Sequence, residues 1–291
     1  MSIERLNAKC VECLLNKHLK SVAGLSNDKN LEYTNGIREI ISKADVSMSA
    51  PEVVAQINEF KKGFGIVDDF AEIKKFYNNF LMGFEEEIET KIQNADNPLE
   101  TAVKYAMAGN YIDFGVMESV SEETLRRTLE NANKITIDKV NFEKFKSEIC
   151  NAKNIVYLTD NCGEIVIDKL LIKQILSTNN NVKLNVIVRG EPVLNDCTID
   201  DAVQVGLDKL VVVTENGTAI AGTVLDKISP EAKCLVDNAD IIISKGQGNF
   251  ETLHHCGKNI YYLFLCKCDM FADRFGVEKF SGVFINDCDL I

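Results

Sequence analysis

The sequence predicts an α/β protein: an N-terminal all-helical subdomain, then a C-terminal Rossmann-like three-layer α/β/α subdomain with a mostly parallel sheet. Before residue 134 the apolar residues recur at spacings of three and four, without the alternation typical of strands. From about residue 150, short β-branched runs alternate with helical segments, as in a parallel sheet covered on both faces. We therefore divide the chain into residues 1–150 and 151–291, packed as one body.

Two helix starts stand out in the N-terminal part. Ser49 precedes Pro51 and Glu52, which supplies an N-cap residue, an early proline and an acid in the first turn. Asn97 and Pro98 open a second helix. The apolar residues after each start keep the helical spacing, so both segments are predicted as helices.

Six apolar runs of strand length follow in the C-terminal part. They are residues 155–158, 184–188, 210–213, 241–243, 260–265 and 283–285. The carboxyl ends of parallel strands lie along one edge of a sheet, and ligands of open α/β sheets bind there. Polar residues directly after the runs are therefore the candidates for a functional site.

The composition disfavours several classes of function. The net charge of −12 and the pI of about 4.9 disfavour a general nucleic-acid binder or a protein attached to anionic membranes. No apolar stretch approaches the roughly 20 residues of a membrane span, and the first residues are polar, so we expect a cytoplasmic protein. Its ten cysteines are then expected as thiols or metal ligands rather than disulfides.

Polar clusters follow four of the six runs. The first run leads into Asp160 and Asn161, and the second leads into Arg189 and then Asp196. The clusters contain oxygen ligands, cations and glycines, which suits a site at the shared edge. The candidates are Asp160, Asn161, Gly163, Glu164, Arg189, Gly190, Asn195, Asp196, residues 244–251 and residues 266–269.

These residue types favour phosphate chemistry. Asp160, Asn161 and Asp196 offer two carboxylates and an amide oxygen, a hard ligand set suited to Mg²⁺ or Mn²⁺. Residues 245–249 stand between a strand and a helix start, where backbone N–H groups can hold an anion. A hard metal polarises a phosphoryl oxygen, while fixed cations such as Arg189 and Lys267 stabilise the charge that develops.

Each cluster taken alone has a plainer explanation. Asp160 with Asn161, and Asn195 with Asp196, also fit turns and helix caps. Gly246 and Gly248 do not complete a dinucleotide fingerprint, and each lysine alone is explained as a surface residue. Four clusters on one predicted edge favour a site over these separate explanations.

The ordered motifs resemble the metal-dependent damage-control phosphatase family, long known only as domain of unknown function eighty-nine. The motifs are D-N-x-G-E at 160–164, R-G-x-P-x-x-N-D-x-T at 189–198, K-G-Q-G-N-F-E at 245–251 and C-K-C at 266–268. The segment A-G-N-Y-I-D-F-G at 108–115 also looks like a family signature, and C-V-E-C at 10–13 matches the mainly prokaryotic branch. The resemblance covers nearly the whole chain.

The resemblance implies an enzyme that hydrolyses phosphate monoesters of small metabolites, such as sugar phosphates or damaged phosphometabolites. It implies a divalent metal, Mn²⁺, Co²⁺, Ni²⁺ or Mg²⁺, bound by Asp160, Asn161 and Asp196. Asp160, Lys267 and Glu164 are the candidate catalytic residues. Direct attack by water is favoured over a phosphoenzyme, because Asp160-Asn161-Cys162 lacks the second acid of an aspartyl-phosphate enzyme. The substrate and its phosphate would contact Arg189, Lys245, Gly246, Gly248, Asn249, Glu251, Asn110 and Asp113.

Four cysteines suggest a second site. Cys10 and Cys13 lie one helical turn apart, and Cys266 and Cys268 follow the fifth run, so together they could bind zinc or an iron–sulfur cluster. Burial as small apolar residues is the plainer explanation. Two rival functions therefore stay open: a non-catalytic metal or redox module built on the cysteines, and a nucleotide-binding Rossmann-like protein. No oligomeric state is predicted.

Overall fold

The structure, a computed structural model, describes residues 6–19, 25–112 and 121–290. In these ranges every element before residue 154 is helical, as predicted. The predicted helix starts are confirmed: the Ser49 backbone N–H donates to Glu52 Oε2 at 3.0 Å, and Asn97 Oδ1 accepts from the Glu100 N–H at 3.4 Å. The helices are α1 Ala8–Leu19, α2 Asn27–Lys43, α3 Ala50–Lys62, α4 Ala71–Met82, α5 Glu85–Gln93, α6 Pro98–Gly109, α7 Glu122–Glu130 and α8 Lys139–Asn151.

A six-stranded sheet forms the second part, in the order β3-β2-β1-β4-β5-β6. All neighbours are parallel except β5 and β6, which confirms the predicted mostly parallel α/β fold. The strands are β1 Asn154–Leu158, β2 Lys183–Val188, β3 Val212–Glu215, β4 Ile241–Lys245, β5 Ile260–Leu265 and β6 Gly282–Asn286. The helices between them are α9 Glu164–Thr178, α10 Ile199–Gln204, α11 Pro230–Asp237, α12 Gln247–Leu253 and α13 Asp269–Phe275.

The third strand differs most from its predicted boundaries. The third run was predicted at residues 210–213, but β3 spans Val212–Glu215. Leu207–Lys209 forms a 3₁₀ turn, and the N–H groups of Leu210 and Val211 donate to the carbonyl of Leu207. The first two residues of the run therefore belong to the turn that precedes this edge strand.

The sheet is covered on both faces, which gives three layers. Along β1, Ile155 and Tyr157 belong to a core shared with α9, whereas Val156 and Leu158 belong to a core formed with α11 and α12. Helices α4 to α8 contribute residues to the first of these cores, and α1 to α3 enclose a third core of their own. In the described ranges, no helix combines the length and the apolar character that crossing a bilayer requires.

Candidate active site

The candidate site lies where the strand order reverses. Connections run outward from β1 through β2 to β3, and then return to β4 on the other side of β1. Crevices at such switch points, outside the carboxyl ends of the strands, are where open α/β sheets bind ligands. Asp160 follows β1 here, Arg189 follows β2, and Lys245 ends β4. The structure thus brings the first, second and fourth predicted clusters together.

A short backbone bridge joins the loops after β1 and β2. Asn161 pairs with Asp196 in an antiparallel bridge. The Cys162 N–H donates to the Asn195 carbonyl at 2.8 Å, and the Cys197 N–H donates to the Asp160 carbonyl at 2.7 Å. In such a pair the central residues do not bond to each other, so their side chains stand close on one face. Two of the three predicted metal ligands are therefore held side by side by the backbone.

The third predicted ligand, Asp160, lies beside this pair and is buried. Its Oδ2 atom accepts hydrogen bonds from Asn110 Nδ2 at 2.9 Å and from Asn161 Nδ2 at 2.6 Å. Its Oδ1 atom lies 3.9 Å from Nη2 of Arg189. The carboxylate is thus fixed in orientation by neighbours from α6, from its own loop and from the loop after β2.

Arg189 is almost completely buried between these loops. Its Nε atom donates to Asp196 Oδ2 at 2.7 Å, and Nη1 lies 3.2 Å from Asn249 Oδ1 and 3.4 Å from Thr223 Oγ1. Among the residues that the structure describes, Nη2, which faces Asp160, has no hydrogen-bond partner. Leaving a buried donor unpaired costs about 1–3 kcal/mol, so this atom marks a place for an oxygen acceptor.

Glu164 collects hydrogen bonds from both sides of the site. Asn110 Nδ2 lies 3.0 and 2.9 Å from its two carboxylate oxygens, and the Asn161 N–H and Nδ2 lie 3.3 and 3.1 Å from Oε2. Asn110 Oδ1 in turn accepts from the Leu265 N–H at 3.0 Å, at the end of β5. Glu164 is fully buried and is thus placed to orient Asn110 and Asn161. Asp113, which was predicted together with Asn110 to contact the substrate, lies outside the described residues.

Lys245 lies beneath Glu164 and, with Lys267, is buried rather than on the surface. Its Nζ atom contacts Glu164 Oε1 at 2.5 Å and Asp168 Oδ1 at 2.6 Å, and Tyr157 donates to the same Asp168 oxygen at 2.7 Å. Burial alone would lower the pKa of Lys245, but the two carboxylates outweigh it and hold that pKa above its usual value. The plain explanation of these lysines as surface residues is therefore wrong.

The glycine turn after β4 approaches Asp160 closely. Gly246 has a φ of +80°, and a Cβ placed on it would lie 2.0 Å from Asp160 Oδ2. Asn249 is buried, and its Nδ2 donates to the carbonyls of Thr159 and Lys245 at 3.0 and 2.8 Å. Asn249 thus ties the turn to the loop after β1. In the arrangement described, its side chain bonds to protein groups.

The other predicted phosphate-side residues occupy different positions. Gly248 packs against the carbonyl of Ala221, where an added Cβ would lie 2.1 Å from the oxygen. Glu251 is half-buried on α12. Lys267 is buried at the end of β5, and its N–H donates to Gln247 Oε1 at 2.7 Å. The phosphate-binding roles of these residues stay predictions.

The two cysteine pairs come from different ends of the chain. Lys9 on α1 is hydrogen-bonded to Asp273 on α13, which places the first pair near Cys266 and Cys268. Burial, and next the charge of Glu251, raise the pKa of Cys10 to about 11. Within the part of the chain that the structure describes, no three His, Cys, Asp or Glu side chains are grouped closely enough to bind a metal ion. The cysteine metal site stays a prediction.

Two members of the buried network were missed by sequence reasoning. Asp168 and Tyr157 lie inside α9 and β1, whereas the candidates predicted from sequence lie at strand ends. Glu164 and Asp168 are four residues apart in a helix that is otherwise apolar there, so they share a face. Buried acids on one face of such a helix require partners, so this pattern indicates a buried cation or donor facing α9.

Asp168 gives a pH-dependent prediction. Burial raises its pKa from 3.8 to about 7, so the folded protein keeps this proton where the unfolded chain has lost it. Between these values the group makes the free energy of unfolding fall as pH rises. We expect Asp168→Asn to lessen that fall, measured by urea unfolding of both proteins across this window. A difference between the two proteins that does not vary with pH would contradict the assignment.

Comparison with known proteins identifies the protein family. The family model described as "Damage-control phosphatase ARMT1-like domain" matches residues 6–283. The damage-control phosphatase PH1575 of Pyrococcus horikoshii is 31% identical over 94% of this chain and 96% of its own, and a damage-control phosphatase of Archaeoglobus fulgidus is 30% identical over the same shares. A crystal structure of the P. horikoshii DUF89 family protein superposes with a TM-score of 0.80, at 29% identity, over 97% of this chain and 99% of that one.

The chain therefore belongs to the ARMT1-like damage-control phosphatase family. This confirms the resemblance of the ordered motifs, and the protein is a phosphatase. The family model spans both the helical part and the sheet, so it includes every site residue described above.

Proposed function

We propose that this phosphatase is metal-dependent and hydrolyses phosphate monoesters of small metabolites, such as sugar phosphates or damaged phosphometabolites. The observation that supports the proposal is the Asn161–Asp196 bridge, which holds these two residues close to Asp160 at the switch point of the sheet. Two relatives are named damage-control phosphatases, which supports a phosphatase reaction.

The residues present fit a divalent cation. Asp160, Asn161 and Asp196 supply only oxygen ligands, which favours Mg²⁺ or Mn²⁺, with Co²⁺ and Ni²⁺ as alternatives. Among the described contacts, Arg189 Nε is paired with Asp196 Oδ2 at 2.7 Å, and Arg189 Nη2 lies 3.9 Å from Asp160 Oδ1. A divalent ion held between these two carboxylates would polarise a phosphoryl oxygen.

The chain's own groups would receive and hold the phosphate. Arg189 directs its unpaired Nη2 toward Asp160, so a phosphoryl oxygen there would gain a charge-assisted hydrogen bond. Lys267, buried at the same sheet edge, is proposed as a second cation for the charge that develops during transfer. We favour direct attack by water, because Cys162 stands where an aspartyl-phosphate enzyme commonly has its second acid.

The test is a phosphatase screen with p-nitrophenyl phosphate and a panel of sugar and cofactor phosphates, each assayed with Mn²⁺, Co²⁺, Ni²⁺ and Mg²⁺. We expect Asp160→Asn to lower kcat/KM by more than about 100-fold, beyond the usual effect of changing a residue that only supports a ligand. The matched control is Asp240→Asn at the opposite end of β1, where Asp240 Oδ2 accepts from the Lys153 and Asn154 N–H groups at 2.8 Å.

Asp240→Asn is expected to change stability and leave turnover intact. Metal-stimulated turnover that survives in Asp160→Asn would refute the ligand assignment. Absence of turnover in the unaltered protein with every ion and substrate would refute the proposed reaction.

A further inference from the structure

The ammonium group of Lys245 has no donor left for a substrate. A lysine ammonium carries three N–H donors. Those of Lys245 are directed to the Ala106 carbonyl at 2.9 Å, to Glu164 Oε1 at 2.5 Å and to Asp168 Oδ1 at 2.6 Å. The side chain is also fully buried. In this arrangement Lys245 contacts α6 and α9 rather than the crevice.

Glu164 connects this lysine to the predicted metal ligands. It accepts from the Asn161 N–H and Nδ2, at 3.3 and 3.1 Å, and from Asn110 Nδ2. Asn110 Nδ2 also donates to Asp160 at 2.9 Å. One carboxylate thus sets the orientation of the Asn161 amide and of the amide that holds Asp160. Its own position is fixed by the short contact with Lys245.

We propose that Lys245 is a positioning residue, which acts through Glu164 to hold Asp160 and Asn161 in the geometry that binds the divalent ion. The inference rests on the proposed function for the identity of those ligands. It assigns Lys245 a role different from the phosphate contact that its motif predicts. Glu164 and Asn110 are then the links between the lysine and the ligands, and Asp168 and the Ala106 carbonyl keep the ammonium in place.

Loss of the Lys245 ammonium group is expected to disturb the proposed metal ligands through Glu164. Glu164 and Asp168 are both fully buried, one turn apart on α9. Without Lys245, Glu164 would lose the cation that it contacts at 2.5 Å and would remain buried beside Asp168, which is a costly arrangement. Glu164 would then move away from its present position, which alters its hydrogen bonds with Asn161 and Asn110.

The experiment measures ion binding directly, from the electron paramagnetic resonance signal of free Mn²⁺ titrated with protein. We expect Lys245→Met to weaken Mn²⁺ binding by about 10- to 100-fold, the usual range for a residue that supports a metal ligand. Inhibition by inorganic phosphate, measured with Mn²⁺ saturating, should be nearly unchanged. A residue that binds phosphate would show the reverse pattern, and that result would overturn the proposal.

Lys169→Met is the matched control. Lys169 is also a buried lysine, bound to Glu85 at 2.8 Å and to the Val205 carbonyl at 2.6 Å, but it has no described contact with Glu164. The Lys169→Met variant should lose a partly buried ion pair and keep its Mn²⁺ affinity. If both variants lose affinity equally, the effect is general destabilisation and the proposal fails.

A double variant covers the case in which Lys245→Met does not fold. Lys245→Met combined with Glu164→Gln removes both charges of the Lys245–Glu164 pair, so Glu164 is not left as a buried carboxylate without its cation. Because the two residues act in one chain of contacts, its Mn²⁺ affinity should match that of Glu164→Gln alone. Affinity equal to that of the unaltered protein, or a loss well beyond that of Glu164→Gln alone, would overturn the inference.

The two proposals fail separately. A protein whose Mn²⁺ binding depends on Asp160 and on Lys245, but which hydrolyses no phosphate ester, would refute the reaction alone. A protein that hydrolyses such esters, and whose Lys245→Met variant binds Mn²⁺ normally, would refute the positioning role alone.

Discussion

Replacing Gly246 with alanine is expected to lower kcat by about 100-fold or more, the scale of loss that an ångström-sized displacement of a catalytic group can cause. The new Cβ would lie 2.0 Å from Asp160 Oδ2 and 2.1 Å from its Cγ, well inside contact distance. Asp160 would have to leave its hydrogen bonds with Asn110 and Asn161. Steady-state kinetics at saturating Mn²⁺ would measure the loss.

The effect of backbone strain at position 246 must be measured separately from the effect of the clash with Asp160. Gly246 has a φ of +80° and a ψ of 161°, a conformation that costs a residue with a side chain about 1–3 kcal/mol. Gly257 has a φ of +78°, and a Cβ there would meet nothing within 4 Å. Gly257→Ala is therefore the control for positive φ without displacement of Asp160. Equal losses of activity in both variants would show that strain, rather than the carboxylate, is responsible.

Replacing Gly190 with alanine is expected to reduce the free energy of unfolding by about 3 kcal/mol, the upper end of the usual cost of overpacking. A Cβ on Gly190 would lie 2.3 Å from the Cα and N atoms of Gly217. The obstacle is backbone, so no side chain can rotate away. The two segments are also tied by hydrogen bonds from the Gly190 N–H to Asn216 Oδ1 at 2.9 Å and to the Thr218 carbonyl at 3.2 Å.

Urea denaturation would measure that loss, with Gly206→Ala as the control, because a Cβ on Gly206 meets nothing within 4 Å although its φ is +71°. Arg189 precedes Gly190, so the variant should also lose activity before it unfolds. A Gly190→Ala protein as stable as Gly206→Ala would show that the two backbones separate more easily than their hydrogen bonds indicate.

Much of the fold follows from periodicity, because a parallel sheet buries strands on both faces and leaves continuous apolar runs. The run that ends at Leu265 was predicted with the boundaries that β5 has. The third run shows the limit of this reasoning. Apolar character extends from Leu210 to Val213, but hydrogen bonding to Leu207 decides where the turn ends, and periodicity does not report hydrogen bonds.

The strand-end rule placed Asp160, Asn161 and Asp196 together because these positions follow from topology alone. The rule could not reveal the contacts of Lys245. The partners of Lys245 come from α6 and from the first turns of α9, and a side chain's direction depends on how those helices pack. Lys245 therefore has the sequence pattern of a phosphate-binding lysine, although its contacts are all with protein groups.

The bridge between Asn161 and Asp196 has a further consequence for heat inactivation. One partner belongs to the unit that begins with β1 and the other to the unit that begins with β2, so neither unit holds both proposed ligands by itself. Helices α1 to α3, by contrast, surround a separate core of their own. Thermal loss of catalysis should thus follow the melting of the central strands, while loosening confined to the first three helices leaves this pairing undisturbed.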